Sequence, residues 1–250
     1  MVVFVTGASS GFGASIARSL AGDGHTVIAA GRRKEKLEAL AAEDERFHIL
    51  PVVLDVCDRG SVARVMAQVE SEIDVIDCLI NNAGLALGVD PAYQASLDEW
   101  VQMVNTNVLG VLYCTHAVLP GMVRRNFGRI INLGSVAGAY PYPGGNVYGA
   151  TKAFVRQLSL NLRADLTGKN IHVTNIEPGL CGGTEFSITR FHGDAKKAEE
   201  LYRQTQPLQA EDIAEVVRWL LSLPEHVNIN DLSMMPTCQG FGHFNVVRNA

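Results

Sequence analysis

The chain has 250 residues, 47% of them hydrophobic and 19% charged, a globular balance that excludes disorder. Its formal net charge of −5 leaves no basic surface for nucleic acid or an anionic membrane, so neither is an expected partner. The five cysteines (Cys57, Cys78, Cys114, Cys181 and Cys238) are scattered without Cys-x-x-Cys spacing, which excludes a disulfide scaffold and a zinc ribbon and points to reducing cytoplasm.

In chain order, Met1 leads straight into Val2-Val3-Phe4-Val5 with no basic segment, so no signal peptide is expected. No apolar run approaches the roughly 18 residues of a membrane span. Short β-branched or aliphatic runs predict strands over 2–6, 26–30, 47–54, 78–81, 129–133, 172–177 and 232–236. Most are nearly continuous in apolar character, as strands buried on both faces of a parallel sheet must be. Between them, apolar residues recurring at three and four predict helices such as 13–21, 33–42, 61–73, 97–125 and 148–166. Val62, Val65, Met66 and Val69 form one such stripe. Sustained strand–helix alternation predicts an α/β doubly wound parallel sheet of about seven strands, a Rossmann fold, with right-handed crossovers. No linker or repeat divides the chain, so a single domain over 1–250 is expected. Residues 182–197 lack periodicity and suit a flap over a site.

The turn Thr6-Gly7-Ala8-Ser9-Ser10-Gly11-Phe12-Gly13 follows the first strand and opens the first helix. One glycine permits the tight turn, one lets the backbone approach a pyrophosphate, and one allows close helix packing. The helix N-terminus then offers unpaired N–H groups to phosphate oxygens. Gly7, Ser9, Ser10, Gly11, Phe12 and Gly13 are therefore candidate dinucleotide contacts. Where an acidic residue would bind the 2′-hydroxyl of NAD, the second strand instead ends in Gly31-Arg32-Arg33. Arg32 and Arg33 suit the 2′-phosphate of NADP. Asp55 and Val56 after the third strand, and Asn82-Ala83-Gly84 after the fourth, fall where adenine and ribose would lie.

Tyr148 and Lys152 stand at i and i+4 near the start of a helix and share one face. Ser135 ends the fifth strand, and Asn107 sits inside a long helix pattern, where a polar interior side chain needs a partner. A phenol with an ordinary pKa near 10 is a poor base at neutral pH. A neighbouring ammonium and a cationic nicotinamide ring would both favour phenolate.

Together with Pro178-Gly179, these segments resemble the short-chain dehydrogenase/reductase family along essentially the whole chain. The resemblance implies that Tyr148 is the general acid/base, that Ser135 orients the reacting oxygen and that Lys152 holds the nicotinamide ribose. It also implies that Asn107 anchors a water-linked proton relay, that Pro178 and Gly179 line the nicotinamide site, and that the protein is a homotetramer built through helices 97–125 and 148–166. Within the family, the stretches 82–88, 142–148, 177–186 and 226–230 are similar to those of NADP-dependent 3-hydroxy acid dehydrogenases, which act on serine, L-allo-threonine or malonic semialdehyde. The implied substrates are short 3-hydroxy acids and their 3-oxo counterparts.

A short acid needs something to hold its carboxylate. Arg190 offers a bidentate fork, and the backbone N–H groups of the glycine-rich stretch 179–184, ending in Thr184, are the rival. Asn146 is either a substrate contact beside the reacting carbon or part of a tight turn. Cys181 stands where an aliphatic residue is expected. No His-Glu-x-x-His occurs among the seven histidines, so no catalytic metal is expected. Two rival functions remain: a reductase of another small anionic aldehyde such as sulfoacetaldehyde (isethionate dehydrogenase), and a non-catalytic NADP-binding sensor, against which the full set Asn107, Ser135, Tyr148 and Lys152 speaks. Residues 234–236 are assigned to the last strand and a subunit contact, and the tail 240–250 to a reach toward a neighbouring subunit.

Overall fold

The structure, a computed structural model, describes residues 1–241. Seven strands form one parallel sheet in the order β3-β2-β1-β4-β5-β6-β7. They are β1 Val2–Thr6, β2 Thr26–Gly31, β3 Ile49–Val53, β4 Cys78–Asn81, β5 Gly128–Leu133, β6 Ile171–Pro178 and β7 Asp231–Met234. The doubly wound α/β sheet expected from the sequence is therefore present. β3 is shorter than the predicted 47–54, because it is an edge strand pairing only with β2 and carries Pro51, which such an edge tolerates. β7 starts one residue earlier than expected and ends at Met234, leaving Met235 to face the cleft described below.

Alternate residues of each strand feed opposite layers. On one side Val3, Val5, Val27, Ala29 and Ile80 pack with α1 (Gly11–Gly22), α2 (Lys34–Ala41) and α9 (Ala210–Ser222). On the other, Phe4, Ile28, Leu79 and Ile130 pack with α3 (Arg59–Glu72), α5 (Gly110–Arg125) and the end of α6 (Asn146–Asp165). α9, not singled out from the sequence, buries Ile213, Ala214, Val217 and Leu220 and begins on a capping box between Gln209 and Asp212.

The segment Leu97–Arg125 departs from expectation twice. Its 29 residues, with mean hydropathy 1.3 over the most apolar window, are long and apolar enough to cross a membrane. Scattered polar residues hide this from a search for one uninterrupted run. In this fold Met103, Val111, Cys114, Val118 and Met122 are buried, which makes it a layer helix of the sheet. It is also not one regular helix: α4 (Leu97–Val104) passes into α5 through a π turn at Asn105–Leu109, where the Gly110 N–H donates to the Asn105 carbonyl. Such one-turn widenings of a helix recur at functional sites.

Below the C-terminal ends of the strands runs a row of asparagines. Asn81 is in register with Asn132, and Asn132 with Asn175, at 3, 0 and 0% exposure. Asn81 Nδ2 donates to Thr115 Oγ1 on α5 and to Asn132 Oδ1, at 3.0 and 2.8 Å. Asn132 Nδ2 donates to Ser159 Oγ on α6 at 2.8 Å. Two flanking helices are thus tied to the strands that carry the site, in a low-dielectric layer where an unpaired amide is costly. Asn132→Leu is expected to destabilise the protein by about 1–3 kcal/mol, because it leaves half of the Asn81 amide unpaired and removes the bond that Ser159 Oγ accepts. Urea unfolding checks this, and an unchanged midpoint would show the row to be incidental.

Candidate active site

The order of strands reverses between β1 and β4, and a cleft of about 650 Å³ opens outside their C-terminal ends. At one end stands the glycine turn. Gly7 (φ +67) and Gly11 (φ +54) have left-handed backbones that disfavour side chains. A Cβ on Gly7 would lie 2.9 Å from Ala83 Cα. Ser10 caps α1 without a side-chain bond, so the N–H groups of the first turn of α1 point to the cleft without a capping oxygen. Gly7, Ser9, Ser10, Gly11, Phe12, Arg32, Arg33, Asp55, Val56, Asn82, Ala83, Gly84, Pro178 and Gly179 all line this cleft. Gly13 does not. A Cβ there would fall 2.5 Å from both Asn82 Nδ2 and the Gly7 carbonyl, so its role is close packing under the turn and not phosphate contact. Asn82 holds the turn in place, with Nδ2 donating to the Thr6 and Gly7 carbonyls.

Ser135, Tyr148 and Lys152 converge at the other end of the cleft. Burial pushes the Tyr148 phenol up to about 12, opposed by the neighbouring Ser135 hydroxyl and the Arg190 guanidinium. Burial pushes Lys152 down to about 8, and its Nζ donates to the Leu133 carbonyl at 2.6 Å. The ammonium lies 5.8 Å from the Tyr148 ring centroid. In the chain alone, burial therefore outweighs the cations that favour phenolate. Ser135 Oγ accepts from the Ala137 N–H at 3.1 Å and donates to the Pro178 carbonyl at 3.4 Å.

Asn107 is 1% exposed and does not line the cleft. Its Oδ1 accepts from the Leu85 N–H at 2.9 Å, and its Nδ2 donates to the Leu85 carbonyl and to Thr151 Oγ1. With the amide so engaged, its side chain braces the loop after β4, and any relay through this residue has to use its backbone in the π turn. A Cβ on Gly84 would meet both Asn107 Oδ1 and Lys152 Nζ, at 3.3 and 3.5 Å, so the loop passes close against both side chains.

The expected substrate residues separate. Arg190, at the end of α7 (Phe186–Arg190), enters the cleft and donates from Nη2 to the Tyr142 hydroxyl at 2.7 Å. Its guanidinium carbon is 6.0 Å from the Tyr148 ring centroid. Thr184 lies over the glycine turn, 3.3 Å from where a Gly11 Cβ would be, which puts it at the phosphate end. Asn146 does not line the cleft: its amide donates to the Asp90 carbonyl and accepts from Val147 N–H, the turn alternative. Cys181 lines the cleft as a thiol whose pKa burial pushes up to about 12. The flap 182–197 contains α7 and the start of α8 (Ala195–Glu200).

Residues 1–194 match the short chain dehydrogenase family. The chain belongs to that family. It is 55% identical over 249 residues to an NADP-dependent 3-hydroxy acid dehydrogenase of Salmonella typhi, with full coverage of both chains. It is 47% identical over 249 residues to a serine 3-dehydrogenase of Agrobacterium fabrum, covering 99% of this chain and 98% of that protein. Among solved structures, the closed form of a serine dehydrogenase complexed with NADP+ superposes with a TM-score of 0.96 at 54% identity, covering both chains fully.

In this short-chain dehydrogenase, several cleft residues escape sequence reasoning. Tyr142 and Phe186 flank Tyr148, the latter at 5.8 Å between ring centroids. Gln239 accepts from the Leu180 N–H at 2.6 Å, and Phe241 stacks on Tyr140 at 4.8 Å. Gly240 and Phe241 thus line the chain's own cleft; residues 242–250, the rest of the tail expected to reach a neighbouring subunit, lie outside the described residues. No local pattern marks Gln239, Gly240 and Phe241, since only the return of the chain after β7 brings them there.

Lys152 provides a stability test. Its folded pKa of about 8 lies below the ordinary 10.5, so between these values the unfolded chain holds a proton that the native chain has lost. Stability attributable to Lys152 therefore rises with pH through that window and is lowest below pH 8, where the buried ammonium carries its full penalty. Lys152→Met is expected to gain most over wild type at pH 7 and least at pH 10. Thermal unfolding across that range checks this, and a difference independent of pH would refute it.

Proposed function

We propose that this chain, acting as one short-chain dehydrogenase domain over its full length, is an NADP-dependent oxidoreductase. It interconverts short 3-hydroxy acids of the serine, allo-threonine and 3-hydroxypropanoate type with their 3-oxo acids or semialdehydes. The observation that carries this reading is one continuous cleft. It joins an open helix N-terminus and a basic β2 end to Ser135, Tyr148 and Lys152, with the Arg190 guanidinium beside the phenol.

NADP+ supplies a hydride acceptor at nicotinamide C4, and NADPH the donor. The glycine cradle and uncapped α1 fit a pyrophosphate held by Gly7, Ser9, Ser10, Gly11 and Phe12. Arg33, with Arg32, fits a 2′-phosphate; Asp55 and Val56 fit adenine; Asn82, Ala83 and Gly84 fit ribose. Lys152 holds the nicotinamide ribose, and Pro178 and Gly179 flank the ring. Ser135 donates a hydrogen bond to the reacting oxygen. Tyr148 takes the hydroxyl proton in oxidation and returns it in reduction. The high pKa of the buried phenol suits it to donate in reduction, and it makes oxidation faster as pH rises. Arg190 pairs with the substrate carboxylate, and a sulfonate of the isethionate type would meet the same fork. Exposed apolar side chains on the two long helices, including Leu97 at 70%, Val101 and Phe154, support assembly into a homotetramer.

Initial rates with NADP+ and NAD+ over L-serine, D-serine, L-allo-threonine, 3-hydroxypropanoate, 3-hydroxyisobutyrate and isethionate test the reading. Turnover of several 3-hydroxy acids with NADP+ is expected, with oxidative kcat/KM rising with pH. Tyr148→Phe is expected to lose about 10²-fold or more. Activity on isethionate alone would move the protein to the sulfonate reading, and tight NADP binding without turnover would make it a sensor. Arg190→Ala is expected to raise KM for the acids about 10-fold or more at unchanged NADP+ affinity; an unchanged KM would assign the carboxylate to the glycine-rich backbone instead.

A further inference from the structure

The basic group at the end of β2 has a partner that the proposed chemistry does not use. Glu185, the residue that caps α7, places one carboxylate oxygen 2.6 Å from Arg33 Nη1 and the other 2.6 Å from Lys36 Nζ. The same Arg33 guanidinium donates to Ser9 Oγ and Ser10 Oγ of the glycine turn, at 3.0 and 2.6 Å from Nη2. Lys36 and Arg33 together hold the Glu185 carboxyl far below the usual range, at about 2, so it is an anion at any physiological pH. Thr184 beside it packs over Gly11. The first residues of the flap therefore sit over the phosphate edge of the cleft, and an internal anion rests on Arg33, one of the two cations assigned to the 2′-phosphate, and on its neighbour Lys36.

Two anions cannot both be centred on this cation pair without like-charge repulsion. A 2′-phosphate carries more charge and more acceptor oxygens than one carboxylate, whereas the free 2′-hydroxyl of NAD is uncharged and displaces nothing. α7 is five residues long, with Glu185 capping its start and Arg190 at its end. Arg190 is the guanidinium beside Tyr148, and its backbone carbonyl accepts from the Gly88 N–H. What happens at Glu185 is therefore carried through one short helix to the substrate end.

Resting on the NADP reading above, we propose that Glu185 is an internal competitor for the cofactor's 2′-phosphate. Its carboxylate occupies Arg33 and Lys36 until that phosphate displaces it, and the displacement releases the start of α7 and so adjusts Arg190. Glu185 then sets cofactor affinity and couples the cofactor's phosphate to the substrate pocket.

Titration calorimetry of NADP+ and NAD+ with wild type and Glu185→Gln tests the competition. The substitution lies at a half-exposed side chain and removes only the charge. NADP+ is expected to bind about threefold to tenfold tighter to Glu185→Gln, the range set by two exposed ion pairs, with NAD+ affinity unchanged. Hydrogen exchange then separates direct displacement from a diffuse field. Adenosine 2′-phosphate is expected to speed exchange of the amides of 185–193 in wild type, and adenosine 5′-phosphate is not. Wild type binding NADP+ no tighter than NAD+ would overturn the cofactor reading itself. A wild-type preference for NADP+ with Glu185→Gln unchanged, weakened, or tightened equally for both cofactors would overturn the competitor alone, as would flap exchange indifferent to the 2′-phosphate.

Discussion

The constraint on which the rest depends is the reversal of strand order at β1. Parallel neighbours cannot be joined by a tight turn, so each connection crosses a face of the sheet as a right-handed helical unit. Winding outward from β1 to β3, and then back from β1 through β4 to β7, sends the two halves in opposite directions. Their crossovers diverge at the C-terminal edge between β1 and β4 and leave a crevice that no helix covers. The site segments are those that leave the seven strands at that edge, together with the N-terminal part of α6.

Within the crevice the two ends are built on different physics. The phosphate end is backbone: two left-handed glycines, an uncapped helix and an asparagine holding the turn by its carbonyls. The reacting end is side chain and burial. Tyr148 and Lys152 are 8 and 7% exposed, and burial moves their pKa values apart, the phenol upward and the ammonium downward. Both shifts favour the neutral forms, so the chain alone leaves the proton on the tyrosine. The row Asn81–Asn132–Ser159 beneath ties together the strands and the helix that carry these groups.

Between the two ends lies the flap, held at both. Glu185 is tied to the basic end of β2, and Arg190 to Tyr142 and to the loop at Gly88. Contacts from both ends of the cleft therefore meet on the same five-residue helix.

Local pattern carried a large part of this. The strands were legible because residues buried on both faces must be apolar throughout, and the helices because one face must be. The glycine turn, the Tyr148 and Lys152 pair and Ser135 were legible because each needs only its own stretch of backbone to be meaningful. Where the sequence left a side chain's partner open, that partner was remote in the chain. Gly13 answers to Asn82, Asn146 to Asp90, Thr184 to Gly11, and Asn107 to Leu85 and Thr151. Lys36 gave no sign of its pairing with Glu185 across 149 positions. Sequence by itself thus determined the layers and the direction of the sheet, since these follow from periodicity and backbone chemistry. Tertiary structure alone decided which polar side chains face the cleft, which are spent on bracing it, and what the cations hold, because a hydrogen bond or ion pair belongs to two atoms and the chain specifies their meeting only when it folds.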